Sequence, residues 1–202
     1  MAQQTGFTVP VGLQDIYYAV LTKDDATGVT YSAPKKLSAA ITANVTPSVE
    51  SATLFGDDAP IVTANALGSI TVEIGIADIP FADYVTLLGA KVDAKGMLID
   101  NADDQAPEVA LGFRRSMSDG SFVYTWLLKG KFALPNEEAT TKQGSVTFQT
   151  PTMTGTFLKR QYDGNWRFRA HSTDAKSAEL IKTWFTAATI NAAPTPTPTT
   201  SG

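Results

Sequence analysis

The only histidine is His171, so any Ser-His-Asp arrangement would have to use it as the base. No nearby serine has an activating context, and there is no Gly-x-Ser-x-Gly elbow. His171 therefore reads as an ordinary surface or strand-end histidine. The run Asp100-Asn101-Ala102-Asp103-Asp104 looks like the start of a calcium loop, but alanine holds its third position and glutamine its sixth. No bidentate glutamate follows at the twelfth, so the expectation is an acidic, solvated loop. Asp57-Asp58 could supply half of a glycosidase carboxylate pair, which needs a second acid across a cleft. Gly56 and Ala59-Pro60 mark the same residues first as a turn. Phe122, Tyr124 and Trp126 could stack on bases or sugars. With Leu128 and Phe132 they read better as one inward face of a central strand. No phosphate-cradling glycine motif is present, and Asn44-Val45-Thr46 matches a glycosylation sequon without a secretory signal. The expectation is a protein that is not an enzyme, with no cofactor and no metal.

Composition narrows the partners. The 202 residues suit one globular domain with a sizeable core. Only 18% are charged, and the net charge is −4. Thr, Ser, Ala and Gly replace the missing charge, which suits strands and close subunit contacts. The sixteen basic residues are scattered, with Lys35-Lys36, Arg114-Arg115 and Lys159-Arg160 as the adjacent pairs. Phosphate binding gains its affinity from clustered cations, so tight nucleic-acid binding is not expected. The absence of cysteine removes disulfides, thiolate metal sites and a Cys nucleophile. Met1 to Gly6 has neither a positive n-region nor an apolar h-region, and no long apolar run follows, so synthesis in a cytoplasm and no membrane span are expected.

The elements that would position these residues are mostly strands. Ile70, Val72, Ile74 and Ile76 alternate with polar or small neighbours, as do Leu37, Ala39, Ile41 and Ala43. Val109, Leu111 and Phe113 lead to an Asp119-Gly120 hairpin turn, and Phe122 to Phe132 returns. A further strand is expected from about Gly144 to Arg160, interrupted near Pro151, with a second turn at Asp163-Gly164. Asp78 can cap a short helix with Pro80 in its first turn, Phe81, Val85 and Leu88 on one stripe, and Gly89 as its stop. A second helix is expected from Thr173-Asp174, with Ala178, Ile181, Trp184, Phe185 and Ala188 facing inward. The fold class is α+β, mainly antiparallel, a β-sandwich or open barrel flanked by one or two helices. Residues 44–67 read as a long loop, and 191–202 as an extended Pro/Thr-rich tail.

Several strings in this order resemble the major tail (tail-tube) proteins of long-tailed siphovirus bacteriophages. They are Val11 to Leu21, Ala52 to Asp58, Thr71 to Pro80, Val109 to Arg114, Trp126 to Phe132 and Gln149 to Gly155. The resemblance covers roughly residues 11 to 188. It implies an N-terminal arm over 1–14, a tail-tube β-sandwich domain over 15–190, and a tail over 191–202 like linkers that lead to a surface domain in some relatives. It also implies a structural virion protein whose copies form hexameric rings, stacked into a tube that conducts DNA without binding it specifically. Partners would be further copies and other tail proteins (tape measure, tail tip, terminator). The 44–67 loop, with Asn44, Pro47, Phe55, Gly56, Asp57, Asp58 and Pro60, would reach the neighbouring ring. The alternatives are a carbohydrate- or surface-binding β module, favoured by an exposed Trp126, and a capsid-decoration or tail-completion protein.

Overall fold

The computed structural model describes residues 7–37, 40–56, 59–136, 150–192 and 194. The chain runs β1 (Pro10–Asp25), β2 (Gly28–Tyr31), β3 (Lys35–Lys36), β4 (Ala40–Gly56), β5 (Ala59–Ile76), α1 (Phe81–Leu88), β6 (Lys91–Val92) and β7 (Leu98–Ile99). It continues through β8 (Val109–Met117), β9 (Phe122–Phe132), β10 (Thr152–Leu158), β11 (Arg167–His171), α2 (Ala178–Lys182) and α3 (Ala187–Asn191). One antiparallel sheet dominates, in the order β2-β1-β8-β9-β10-β5-β4, with β3 added to β1 and β11 to β9. It branches at β9, where β11 pairs with Val123–Leu127 and β10 with Lys129–Phe132. The sheet curls into a half-barrel, so the mainly antiparallel α+β class holds.

Both faces of the sheet carry a core. Ile16, Tyr18, Ile70, Val72, Ile74, Ile76, Leu111, Phe113, Leu127 and Phe157 form the first cluster together with Leu87 and Leu88 of α1. Ala19, Tyr31, Tyr124, Trp126, Leu128, Trp184 and Ile190 form the second cluster on the opposite face. Val109 to Phe113 is consequently buried along its whole length, not only at alternate residues. The expected single face of Phe122, Tyr124, Trp126, Leu128 and Phe132 is corrected on one point. A register shift between Val109 and Leu111 inserts one extra residue in β9, which flips the side-chain phase. Phe132 then joins the first cluster, edge-on to Phe157 at 5.8 Å, while Tyr124, Trp126 and Leu128 stay in the second.

Ile41 was expected inward and is exposed, because the shift between Ala40 and Thr42 makes it the extra residue of a bulge. Helix α1 begins two residues later than the cap reading, with Pro80 rather than Asp78 at the cap position and without a side-chain cap. Phe81 lies exposed, and Leu87 with Leu88 supplies the buried contact. Gly89 does end the helix in the left-handed conformation. The expected second helix is broken into a 3-10 turn (Ala175–Ser177), α2 and α3. Trp126 Nε1 donates to the Trp184 carbonyl at 2.8 Å, and that acceptor lies in the break between α2 and α3. The expected strand from Gly144 is described only from Thr152, since 137–149 lie outside the described residues.

Candidate assembly surface

Among the described residues, strand β4 is one end of the sheet, and its 17 residues have β5 as their one ladder partner. The described parts of the segment expected as a loop, 44–56 and 59–67, are therefore strand and not irregular chain. They form the outer part of a long two-stranded arm, paired from Val49↔Leu67 to Gly56↔Ala59. The local reason is a period-2 pattern written in small and polar residues rather than large apolar ones. Ser51 faces Asn65 at 2.7 Å and Thr53 faces Thr63 at 3.3 Å, a hydroxyl and amide ladder on one face. The other face pairs Ala52 with Ala64 and Leu54 with Val62. Leu54 is 64% exposed and Val62 55%, and neighbouring Ile61 and Val49 are also open to solvent.

The residues singled out from sequence sit along this arm. Asn44 is exposed opposite Glu73, and Pro47 is exposed opposite Ile70, just before an irregularity that adds a residue to β5. Proline lacks a ladder N–H, and an edge strand is where a sheet tolerates it. Phe55 pairs in backbone register with Pro60, and Gly56 with Ala59. Asp57 and Asp58 lie outside the described residues. The apolar face of Ala52, Leu54, Val62 and Ala64 was not singled out from the sequence. Its signal was the alternation Ala52-Thr53-Leu54 and Val62-Thr63-Ala64, too weak in hydrophobic contrast to stand out.

The opposite end of the sheet is short and closed. Strand β2 has 4 residues, and its Tyr31 N–H donates to Asn191 Oδ1 at 3.0 Å. The fully buried Arg160 holds that covering segment by donating to the carbonyls of Ile190 and Ala192. Asp163 accepts from the same guanidinium, including at 3.0 Å from Nε. Asp24 pins the same region from the other side. Its carboxylate accepts from Lys129 Nζ at 2.7 Å, Gln161 N–H at 2.8 Å and Tyr162 N–H at 2.9 Å. The β2 end of the sheet is thus covered, while β4 at the other end of the main path has no second ladder partner among the described residues.

The residues considered for chemistry stay apart. His171 Nδ1 is bonded to Thr173, through the hydroxyl at 2.7 Å and the N–H at 3.3 Å. Ser172 Oγ accepts from Phe122 N–H and Ser177 Oγ donates to the His171 carbonyl, so neither serine is aimed at the ring. Asp104 and Asn101 accept from backbone N–H groups of their own turn. Among the described residues no group of three or more His, Asp or Glu is placed to hold a metal. Trp126 is fully buried and presents no stacking face, which removes the observation that would have favoured a carbohydrate platform.

Comparison with known families adds the deciding observation: the phage tail tube protein family matches residues 2–192. The chain belongs to that family. A comparison with curated proteins finds no match. As a tail tube protein the chain is a structural component of a virion tail, which assembles with further copies and other tail proteins. None of its described helices is long and apolar enough to cross a membrane.

Proposed function

We propose that this chain is the major tail-tube subunit of a long-tailed siphovirus phage. In this reading six copies close a ring by joining sheets edge to edge, and rings stack into the tube through which DNA leaves. The arm β4–β5 reaches the adjacent ring. The observation that carries the reading is the 17-residue open edge of β4, continued into an arm whose Leu54 and Val62 are exposed. Unpaired strand edges and exposed apolar arms invite pairing with another chain, and a closed ring covers every edge. The number six, the siphovirus type and the tape-measure, tail-tip and terminator partners come from the resemblance drawn from sequence. A net charge of −4 suits a conduit that lets DNA pass without holding it, and synthesis falls in the host cytoplasm.

Electron microscopy of the purified chain at high concentration tests this. Uniform hollow tubes or stacked rings with sixfold end views are expected. A protein that stays monomeric at every concentration, with tail-tip proteins added as nuclei, sinks the reading.

A further inference from the structure

From Leu37 to Ala90 the chain holds no Lys, Arg or His, while Glu50, Asp57, Asp58, Glu73, Asp78 and Asp83 are acidic. The whole arm is therefore anionic. Its Glu50 is exposed and has no ion-pair partner among the described residues.

Positive charge collects at the other side of the sheet. Registers across four strands give the row Leu13–Arg115–Val123–His171. The next row is Phe113–Thr125–Arg169, and the one after it Tyr18–Leu111–Leu127–Arg167. Directly paired residues share a face, so Arg115, Arg167 and Arg169 rise from the face that buries Leu111, Phe113 and Leu127. Arg167 and Arg169 stand at the β11 end of their rows, and Arg115 stands on β8 in the row that His171 ends. Arg167 lies over the Trp166 ring at 4.1 Å. None of the three arginines has a carboxylate partner among the described residues, and Arg115 Nε is buried without a hydrogen-bond acceptor. Asp119, near His171, accepts from both the hydroxyl and the N–H of Ser121. Burial first, then the charges of Arg169 and Arg115, lower the pKa of Arg167, so the three groups are close enough to repel.

We infer that the Arg115–Arg167–Arg169 surface of one copy receives the acidic β4–β5 arm of a neighbouring copy. The inference rests on the tube-subunit reading. Two unpartnered surfaces of opposite sign on one chain favour a heterologous contact, in which each copy gives its arm and accepts another. A second copy fits better than nucleic acid, because the chain's net negative charge repels a polyanion at long range, while the arm's exposed Glu50 has no ion-pair partner among the described residues. Arg167 keeps its stacking role, and Arg115 with Arg169 supplies the charge that the arm meets.

A charge swap tests it in the 202-residue chain, which holds no cysteine. The variants are Arg115→Glu/Arg169→Glu, Glu50→Lys/Asp57→Lys/Asp58→Lys, and all five together. Circular dichroism verifies folding, and sedimentation with microscopy measures the critical concentration for tubes. Each partial set is expected to raise that concentration at least about tenfold at low salt, and the full set to restore it. The wild-type value should also rise with ionic strength as the contact is screened. If folded arginine variants assemble like wild type, or the full set fails to restore assembly, the inference is overturned while wild-type tubes keep the tube reading intact. If the arginine reversal leaves tubes unchanged and instead abolishes retention of a duplex oligonucleotide, the occupant is nucleic acid and the inference is likewise overturned. Wild-type chain that forms no tubes removes the reading on which the inference rests.

Discussion

Replacing Asp24 by Asn should weaken the closed end of the sheet without touching the open one. The carboxylate is 3% exposed and accepts from one ammonium and two backbone N–H groups, while Lys129 is itself 17% exposed and keeps a second acid, Glu108, at 3.4 Å. Hydrogen bonds to charged groups contribute roughly 1.5–3 kcal/mol, and breaking a buried pair costs about 3–5 kcal/mol. The Asn oxygen still accepts from one neighbour and Glu108 still neutralises Lys129, so the expected loss lies near the lower limit, about 3 kcal/mol. Urea unfolding reads this directly: with a slope of about 2–3 kcal/mol per molar, the midpoint should fall by about 1 M. Lys129→Met on each background completes a cycle, with an expected coupling of about 1.5–3 kcal/mol, the range for a charged hydrogen bond. The remaining cost belongs to the Gln161 and Tyr162 N–H groups, which Lys129→Met leaves in place. A loss under about 0.5 kcal/mol, the range of an ordinary surface change, refutes the buried-clip reasoning.

Acid should act through the same groups. Burial pushes the Asp24 carboxyl up, but the Gln161 N–H, Lys129 and the Tyr162 N–H outweigh it and hold its pKa low. Burial is similarly outweighed at Asp163, by Arg160 and Asn165, and a hydrogen bond from Lys36 lowers Asp15. These folded-state values lie below the unfolded value of about 3.9, so their stabilisation is present above it and lost as pH falls through them. Thermal melts should be flat near neutrality and fall steeply below about pH 4, less steeply in Asp24→Asn; an unchanged acid slope in that variant counts against the assignment. Gly112→Ala should cost about 1–3 kcal/mol by overpacking, because a new Cβ would stand 2.8 Å from the Trp126 ring. A stability unchanged in chemical denaturation contradicts that close approach. Leu54→Asp with Val62→Lys, an opposite-charge pair across the two strands, should leave monomer stability within about 0.5 kcal/mol and raise the critical concentration for tubes on the order of a hundredfold, from about 3 kcal/mol of lost apolar burial. Normal assembly of that variant excludes the apolar face of the arm from the interface.

The central sheet was readable because its alternation is strong and its turns are marked. Ile70 to Ile76 alternate cleanly, and Gly120 and Gly164 both take positive φ after an aspartate. Faces were less readable, because one-residue bulges at Ile41 and in β9 reverse the phase while leaving the composition unchanged. The arm read as a loop for a related reason. Its strands are stabilised by Ser51–Asn65 and Thr53–Thr63 pairs and by continuity with a buried base, which a search for apolar periodicity passes over. The C-terminal helices were legible as an apolar stripe, but the break at Trp184 follows from a tertiary hydrogen bond that local spacing does not encode. The arginine rows come from three residues separated by 52 to 54 positions, from Arg115 to Arg167 and Arg169, and only strand register brings them together.

Amide hydrogen exchange across 44–67, compared between the free chain and assembled tubes, tests the central claim most directly. In the free chain the outward N–H groups of β4 face water, and an isolated two-stranded ribbon is only marginally stable. Assembly should slow exchange through the arm by at least about a hundredfold while leaving the core strands β8 and β9 unchanged. Equal exchange over 44–67 in both states would contradict the claim that the open edge and its arm build the tube.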